Sequence, residues 1–179
     1  MQLKAIWFWQ RTAIALSLVG LLLWTGCAHG APSGPSATVV RVVSGQTVEA
    51  VRGTQRLTIR LAGLTAPDFR QQPWGMAAKQ ALEALVLQQR VTLGPIDEPD
   101  AYGRQWAYLW QGDRLVNEAL VAAGHALATP PDNQPEQDYA QRLIHAQQRA
   151  RLLGLGIWNP TAPMRQTPVE FRQQLPAAP

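Results

Sequence analysis

Three short runs of strand-forming residues, separated by two tight turn signals, constrain this chain more than any other feature. Thr38 to Val43 is rich in β-branched residues, Ser44-Gly45 interrupts it, Gln46 to Val51 resumes it, and Arg52-Gly53-Thr54 interrupts it again. In the third run Leu57, Ile59 and Leu61 alternate with Arg56, Thr58 and Arg60. That is the period of a strand with one buried face. Connections this short join antiparallel neighbours, so the stretch predicts an antiparallel meander.

The third run ends in a marked bend, Leu64-Thr65-Ala66-Pro67-Asp68-Phe69. Proline fixes its own φ and disfavours a helical residue before it. Arg60 therefore lies on the polar face just before the bend, and Asp68 just after it. A cation and a carboxylate share one strand-to-loop junction.

Pro73 sits where a helix can begin. Ala78, Ala81, Leu82 and Leu85 carry helical spacing to about Gln89. Arg90 to Leu93 reads as a fourth strand, Gly94 to Asp100 as a loop, and Arg104 to Trp110 as a fifth strand closed by Gln111-Gly112-Asp113. A helix follows from about Leu115 to Ala123, with Gly124 as its stop. The last helix spans about Pro135 to Leu153, where Tyr139, Leu143, Ala146, Ala150 and Leu153 form an apolar stripe. On the fifth strand Arg104, Trp106, Tyr108 and Trp110 share one face. Trp106 and Tyr108 are read as packing under a helix in preference to stacking on bases. His125 and His145 are too far apart and too isolated for a metal pair or a catalytic base, and His29 lies in a tether.

The N-terminus carries Lys4 and Arg11 before an apolar run from Thr12 to Trp24, the pattern of an export signal. A transmembrane helix needs about 20 apolar residues, and this run is shorter. It ends in Leu23-Trp24-Thr25-Gly26-Cys27, which resembles a bacterial lipobox and makes Cys27 a lipidation candidate. Trp24 departs from the usual aliphatic residue, so cleavage near Ala28 to Ala31 and an uncleaved anchor stay open. Cys27 is the sole cysteine, which excludes an intramolecular disulfide. Residues 1–27 are thus read as an export signal, 28–36 as a flexible linker and 37–158 as one domain. Residues 159–179, with five prolines, are read as a disordered or loosely packed tail. The formal net charge is +4, and loss of Lys4 and Arg11 with the signal leaves +2. That argues against coating of a polyanion over a broad basic surface.

The stretch from Arg60 to Asp68, taken with Asp100-Ala101-Tyr102-Gly103-Arg104, resembles the staphylococcal nuclease (thermonuclease) family. Four further stretches resemble its landmarks in the same order: Val42 to Val48, Trp74 to Ala78, Val116 to Val121, and Gly156-Ile157-Trp158. The resemblance covers about residues 37–158. It implies an α+β fold, a five-stranded OB-type β-barrel with three helices. It also implies a Ca²⁺-dependent phosphodiester hydrolase of DNA or RNA, in which cations neutralise a substrate that is already anionic.

Residue by residue, the family's two clamp arginines fall on Arg60 and Arg104, and its neighbouring tyrosine on Tyr102. Its catalytic glutamate falls on Asp68, one methylene shorter. Its two calcium carboxylates fall on Gln46 and Thr65, and a further aspartate on Ser44. Ca²⁺ takes six to eight oxygens, and its affinity follows ligand charge; Gln46 and Thr65 offer neutral oxygens only. Asp97, Glu98 and Asp100 are nearby candidates to replace them. The segment Leu127 to Asn133 lacks the tyrosines that hold the nucleotide in the family.

The leading expectation is therefore a thermonuclease-like domain with weak or lost hydrolysis. Such a domain retains weak binding of nucleic acid or another phosphate-containing ligand. The alternatives are an active extracytoplasmic nuclease with altered metal ligands, or a non-catalytic envelope interaction module. The chain is expected to be monomeric and to meet the membrane through its N-terminal signal or a lipid on Cys27.

Overall fold

In a computed structural model, residues 33–96, 99–130 and 137–175 are described. The export segment, Cys27, Asp97, Glu98 and the first residues of the expected last helix lie outside them. Strands β1 (Ser36–Ser44), β2 (Thr47–Arg52) and β3 (Gln55–Leu61) form the expected antiparallel meander. Strand β5 (Arg90–Ile96) pairs with the start of β1, and β6 (Arg104–Gln111) pairs antiparallel with β5. The ring then closes through a parallel pairing of β3 with β6, in which Thr58 faces Arg104 and Arg60 faces Trp106. Closure leaves these five strands without a free edge. The result is a closed five-stranded barrel of OB type with helices packed against it, an α+β fold.

Three short strands complete the framework. β4 (Leu64–Thr65) pairs with β8 (Leu127–Ala128), and β7 (Arg114–Leu115) extends β6. Helix α1 (Trp74–Val86) ends three residues earlier than its spacing predicts, because Gln88 turns to a φ of 60°. Helices α2 (Val116–Ala122) and α3 (Gln137–Leu152) occupy the expected segments.

The barrel interior explains the alternation in β3. Leu57, Ile59 and Leu61 are buried with Val39, Val48, Leu93 and Leu109, while Thr58 and Arg60 on the other face are half-buried. Burying a side chain of this kind contributes about 1.5–3 kcal/mol. Helix α3 covers part of the outer face of β6, where the Tyr108 and Tyr139 rings stack at 4.3 Å.

One polar residue ties the core together. Asn117, fully buried on α2, accepts a hydrogen bond from the Leu109 backbone N–H at 2.9 Å. It also donates to the Ala62 carbonyl at 2.8 Å. Its side-chain amide thus links β6, α2 and the turn after β3. Satisfying backbone groups that closure takes out of water is a structural requirement.

Residues 159–175 of the tail, expected to be disordered or loosely packed, include one further helix. Helix α4 (Pro168–Gln173) forms there, with Pro168 buried at its first turn. Thr167 caps it: the Thr167 hydroxyl accepts from the Glu170 N–H, and the Glu170 carboxylate accepts from the Thr167 N–H. This reciprocal cap satisfies amides that a helix start leaves unpaired. Thr167-Pro168-x-Glu170 is the sequence form of such a helix start.

Candidate anion site at the barrel closure

Arg60 leaves β3 on the outward face, two residues beyond the partner of Arg104. Strand partners present their side chains to one face, so Arg60, Trp106 and Arg104 lie side by side on the outside of the closure. Arg60 and Arg104 are thus brought together by the parallel pairing, although 44 positions separate them in sequence.

The two arginines are held differently. The Arg60 guanidinium lies over the Trp106 ring, 4.9 Å from its centroid. Its Nε is buried without a hydrogen-bond partner among the described residues. Burial pushes the Arg60 pKa down to about 10, the like charges of Arg104 and Arg172 add to this, and Asp100 opposes it. Arg60 remains a cation at neutral pH, but one short of negative charge.

Arg104 instead has a carboxylate. Its Nε and Nη2 both reach Asp100 Oδ2 at 2.8 Å. Asp100 Oδ1 accepts the backbone N–H groups of Tyr102 and Arg104 at 2.9 and 3.0 Å, closing the turn that leads into β6. The Arg104 side chain is the main reason that the Asp100 pKa falls to about 2, with the backbone donors adding to it. Tyr102 is 82% exposed, and its ring lies 4.8 Å under the Arg104 guanidinium. Tyr102 and Arg104 therefore form one unit, with the ring face still open to solvent.

Asp68 is not joined to either arginine by an ion pair among the described residues. Its Oδ1 accepts from the Arg70 N–H at 3.0 Å and from Arg70 Nε at 3.2 Å. The loop carrying it is packed hard against α1, for a Cβ at Gly75 would meet the Asp68 carbonyl oxygen at 2.0 Å.

Gln46 and Thr65 are both engaged in the framework. Buried Gln46 accepts the Ala66 N–H through its Oε1 at 2.8 Å, holding the bend before Pro67. The Thr65 hydroxyl shares a hydrogen bond with that of Thr129 at 2.9 Å, tying the bend to the segment after β8. Of positions 46, 65 and 68, only the last carries a charge.

The expectation that Trp106 and Tyr108 pack under a helix describes the second of them. Tyr108 lies under α3, whereas Trp106 forms the platform for Arg60. Asn117, inside the stretch Val116 to Val121, has a framework role that the sequence pattern does not signal. Burial pushes the His125 pKa down, and His145 is exposed on α3.

The profile of the Staphylococcal nuclease homologue family matches residues 58–160. A thermonuclease of Staphylococcus intermedius is 34% identical over 131 residues, spanning 70% of this chain and 77% of the relative. A thermonuclease of Staphylococcus hyicus is 31% identical over 127 residues, spanning 68% and 74%. An uncharacterized endonuclease of Escherichia coli O157:H7 is 29% identical over 128 residues, spanning 70% and 78%. The barrel closed by β3 and β6, the arginines on that closure and these similarities agree: the chain belongs to the staphylococcal nuclease homologue family.

Proposed function

We propose that this domain binds the phosphate groups of nucleic acid through Arg60 and Arg104, with metal-dependent hydrolysis weak or lost. The observation that carries the reading is the Arg60 side chain, half-buried, held over the Trp106 ring and without an ion-pair partner among the described residues. A guanidinium offers a planar fork of donors that matches two phosphate oxygens. Arg104, already oriented by Asp100, would supply the second fork, and the exposed Tyr102 ring a surface for a base or sugar.

The residues at the family's calcium positions do not fit that ion. Gln46 spends its side-chain oxygen on the Ala66 amide, Thr65 pairs with Thr129, and Asp68 alone bears charge. Ca²⁺ requires several charged oxygens for useful affinity, so no step is assigned to it here. The shorter Asp68 carboxylate, turned to Arg70, would also stand back from a nucleophilic water; a misplacement of about 1 Å can cost roughly 100-fold in rate.

The second reading is an active nuclease with altered metal ligands. The thermonuclease and endonuclease relatives favour it. We further propose that residues 1–27 export the chain, that Cys27 is a lipidation site, and that the domain acts outside the cytoplasm as a monomer. Replacing Cys27 with Ser and following membrane fractionation tests the anchor.

One assay separates the two main readings. Cleavage of single-stranded DNA and RNA is followed over a Ca²⁺ series and in chelator, alongside binding of a labelled oligonucleotide. The expected result is binding in chelator that Arg60→Gln abolishes, with little or no cleavage. Metal-dependent cleavage lost in Arg60→Gln would establish the second reading. A folded protein that neither binds nor cleaves would leave the envelope interaction module.

A further inference from the structure

The C-terminal end of α3 leaves large apolar side chains in water. Leu152 is 87% exposed and Leu153 58%, and Ile144 and Leu155 are exposed as well. The Leu153 N–H donates to the Arg149 carbonyl at 3.1 Å, so the helical turn carries on through it. Residues three and four apart on a helix are neighbours. Arg149, Leu152 and Leu153 therefore form one contiguous face, which Ile144, His145 and Gln148 extend by a turn, all of them exposed. With 3.6 residues per turn, Leu152 falls between Arg149 and Arg151 around the helix axis.

The same face is cationic. From Tyr139 to Val169 the sequence contains Arg142, Arg149, Arg151 and Arg165 but no Asp or Glu. Arg142 pairs with Glu118 on α2, and the other three have no ion pair among the described residues. The Arg151 guanidinium lies 4.3 Å from the centroid of the Trp158 ring and stays exposed. The helix dipole accounts for arginines in a last turn, but not for leucines left exposed between them. Aliphatic side chains flanked by unpaired cations suit the headgroup boundary of an anionic bilayer. There leucine enters the acyl edge and arginine meets lipid phosphate. Two copies of this face would instead bring like charges together.

We propose that the C-terminal end of α3 is a membrane-contact surface, which lays the domain on an anionic lipid leaflet through Arg149, Arg151, Leu152 and Leu153. The inference goes beyond the phosphate-binding reading and rests on the reading that the N-terminal segment brings the chain to a membrane. Ser36, where β1 starts, is nine residues after Cys27. Nine residues span at most about 30 Å when fully extended, so a domain tethered there stays within reach of the bilayer surface. The contact is interfacial, for no helix among the described residues is long and apolar enough to cross a membrane.

The test uses the full chain carrying Cys27→Ser and Gln148→Cys, with a nitroxide on the new thiol. It is reconstituted with vesicles of phosphatidylcholine, alone or mixed with phosphatidylglycerol. Flotation reads attachment of the chain. Relaxation of the nitroxide by oxygen, which concentrates among acyl chains, against an aqueous nickel complex reads where the end of α3 lies. The label should be open to nickel on phosphatidylcholine and shielded from it, with oxygen dominant, once phosphatidylglycerol is present. Replacing Arg149 and Arg151 by Gln should shift the docked-to-free ratio towards free by roughly 5-fold for each arginine, and Leu152→Gln with Leu153→Gln should abolish the shielding. A chain that floats with both vesicles while its label stays open to nickel would overturn the inference and leave the N-terminal anchor standing. Shielding that survives loss of both arginines would overturn it too. So would shielding that appears in detergent without vesicles and grows with protein concentration, which would make the face a contact between copies. A chain that floats with neither vesicle would remove the anchor and this inference together, because neither the N-terminal segment nor α3 would hold lipid.

Discussion

Arg60 and Trp106 are register partners across the parallel β3–β6 pairing, and the guanidinium of the first lies 4.9 Å over the ring of the second. One backbone pairing closes the barrel and assembles the platform on which the candidate site rests. Stability and anion binding are therefore linked at this point.

Removing the platform should show that link. Trp106→Leu takes away a cation–π contact worth about 0.5–1 kcal/mol where partly exposed, a two- to fivefold change in affinity. Oligonucleotide binding should weaken by that factor, and Trp106→Phe should restore most of it. Equal affinity in Trp106→Leu and wild type would mean that Arg60 is positioned without the ring.

Asp100 makes the acid stability of the turn predictable in sign. Its pKa falls from an ordinary 3.8 to about 2 in the folded chain, chiefly through Arg104. A depressed carboxylate stabilises the fold above its unfolded pKa and ceases to do so as pH falls through the folded value. Wild type should lose stability as pH drops from about 4 towards 2. Asp100→Asn keeps an acceptor for Tyr102 and Arg104 N–H but has no charge to titrate. Its stability profile should be flatter in this window, as thermal melts across the range would read.

Asn117 carries two buried backbone partners, Leu109 N–H and Ala62 C=O. Asn117→Ala leaves both without their bonds, at about 1–3 kcal/mol each. Urea unfolding should show a loss of about 2–4 kcal/mol, allowing for partial relaxation. A loss below about 1 kcal/mol would mean that water enters and replaces the amide.

Gly75 permits the approach of α1 to the Asp68 loop. In Gly75→Ala the new methyl meets the Asp68 carbonyl oxygen and carbon and the Phe69 Cα, all backbone atoms that cannot rotate away. Overpacking of this kind costs about 1–3 kcal/mol, and the loop must shift. Because Gln71 holds α4 through Gln166, the shift should also increase proteolysis after Trp158. Unchanged unfolding and unchanged cleavage would show that the loop yields freely.

Much of this protein was legible in one dimension. The β3 alternation assigned Leu57, Ile59 and Leu61 to the core, and the turns at Gly45 and Gly53 produced the antiparallel meander, because strand period and turn geometry are local properties. Arg60 and Arg104 could be named from short stretches around them. So could the likeness to a nuclease family, and the neutral side chains at positions 46 and 65. Only the tertiary structure decided what those side chains do. The parallel β3–β6 pairing set Arg60 on Trp106, Asp100 drew Arg104 to itself, and Gln46 turned inward to the Ala66 amide. The tail shows the same division. Thr167-Pro168-x-Glu170 encodes a helix start, but the segment is anchored through Gln166 by Gln71, 95 positions before it. Contacts of that span form when loop closure and core burial outweigh chain entropy together, a balance no local pattern contains.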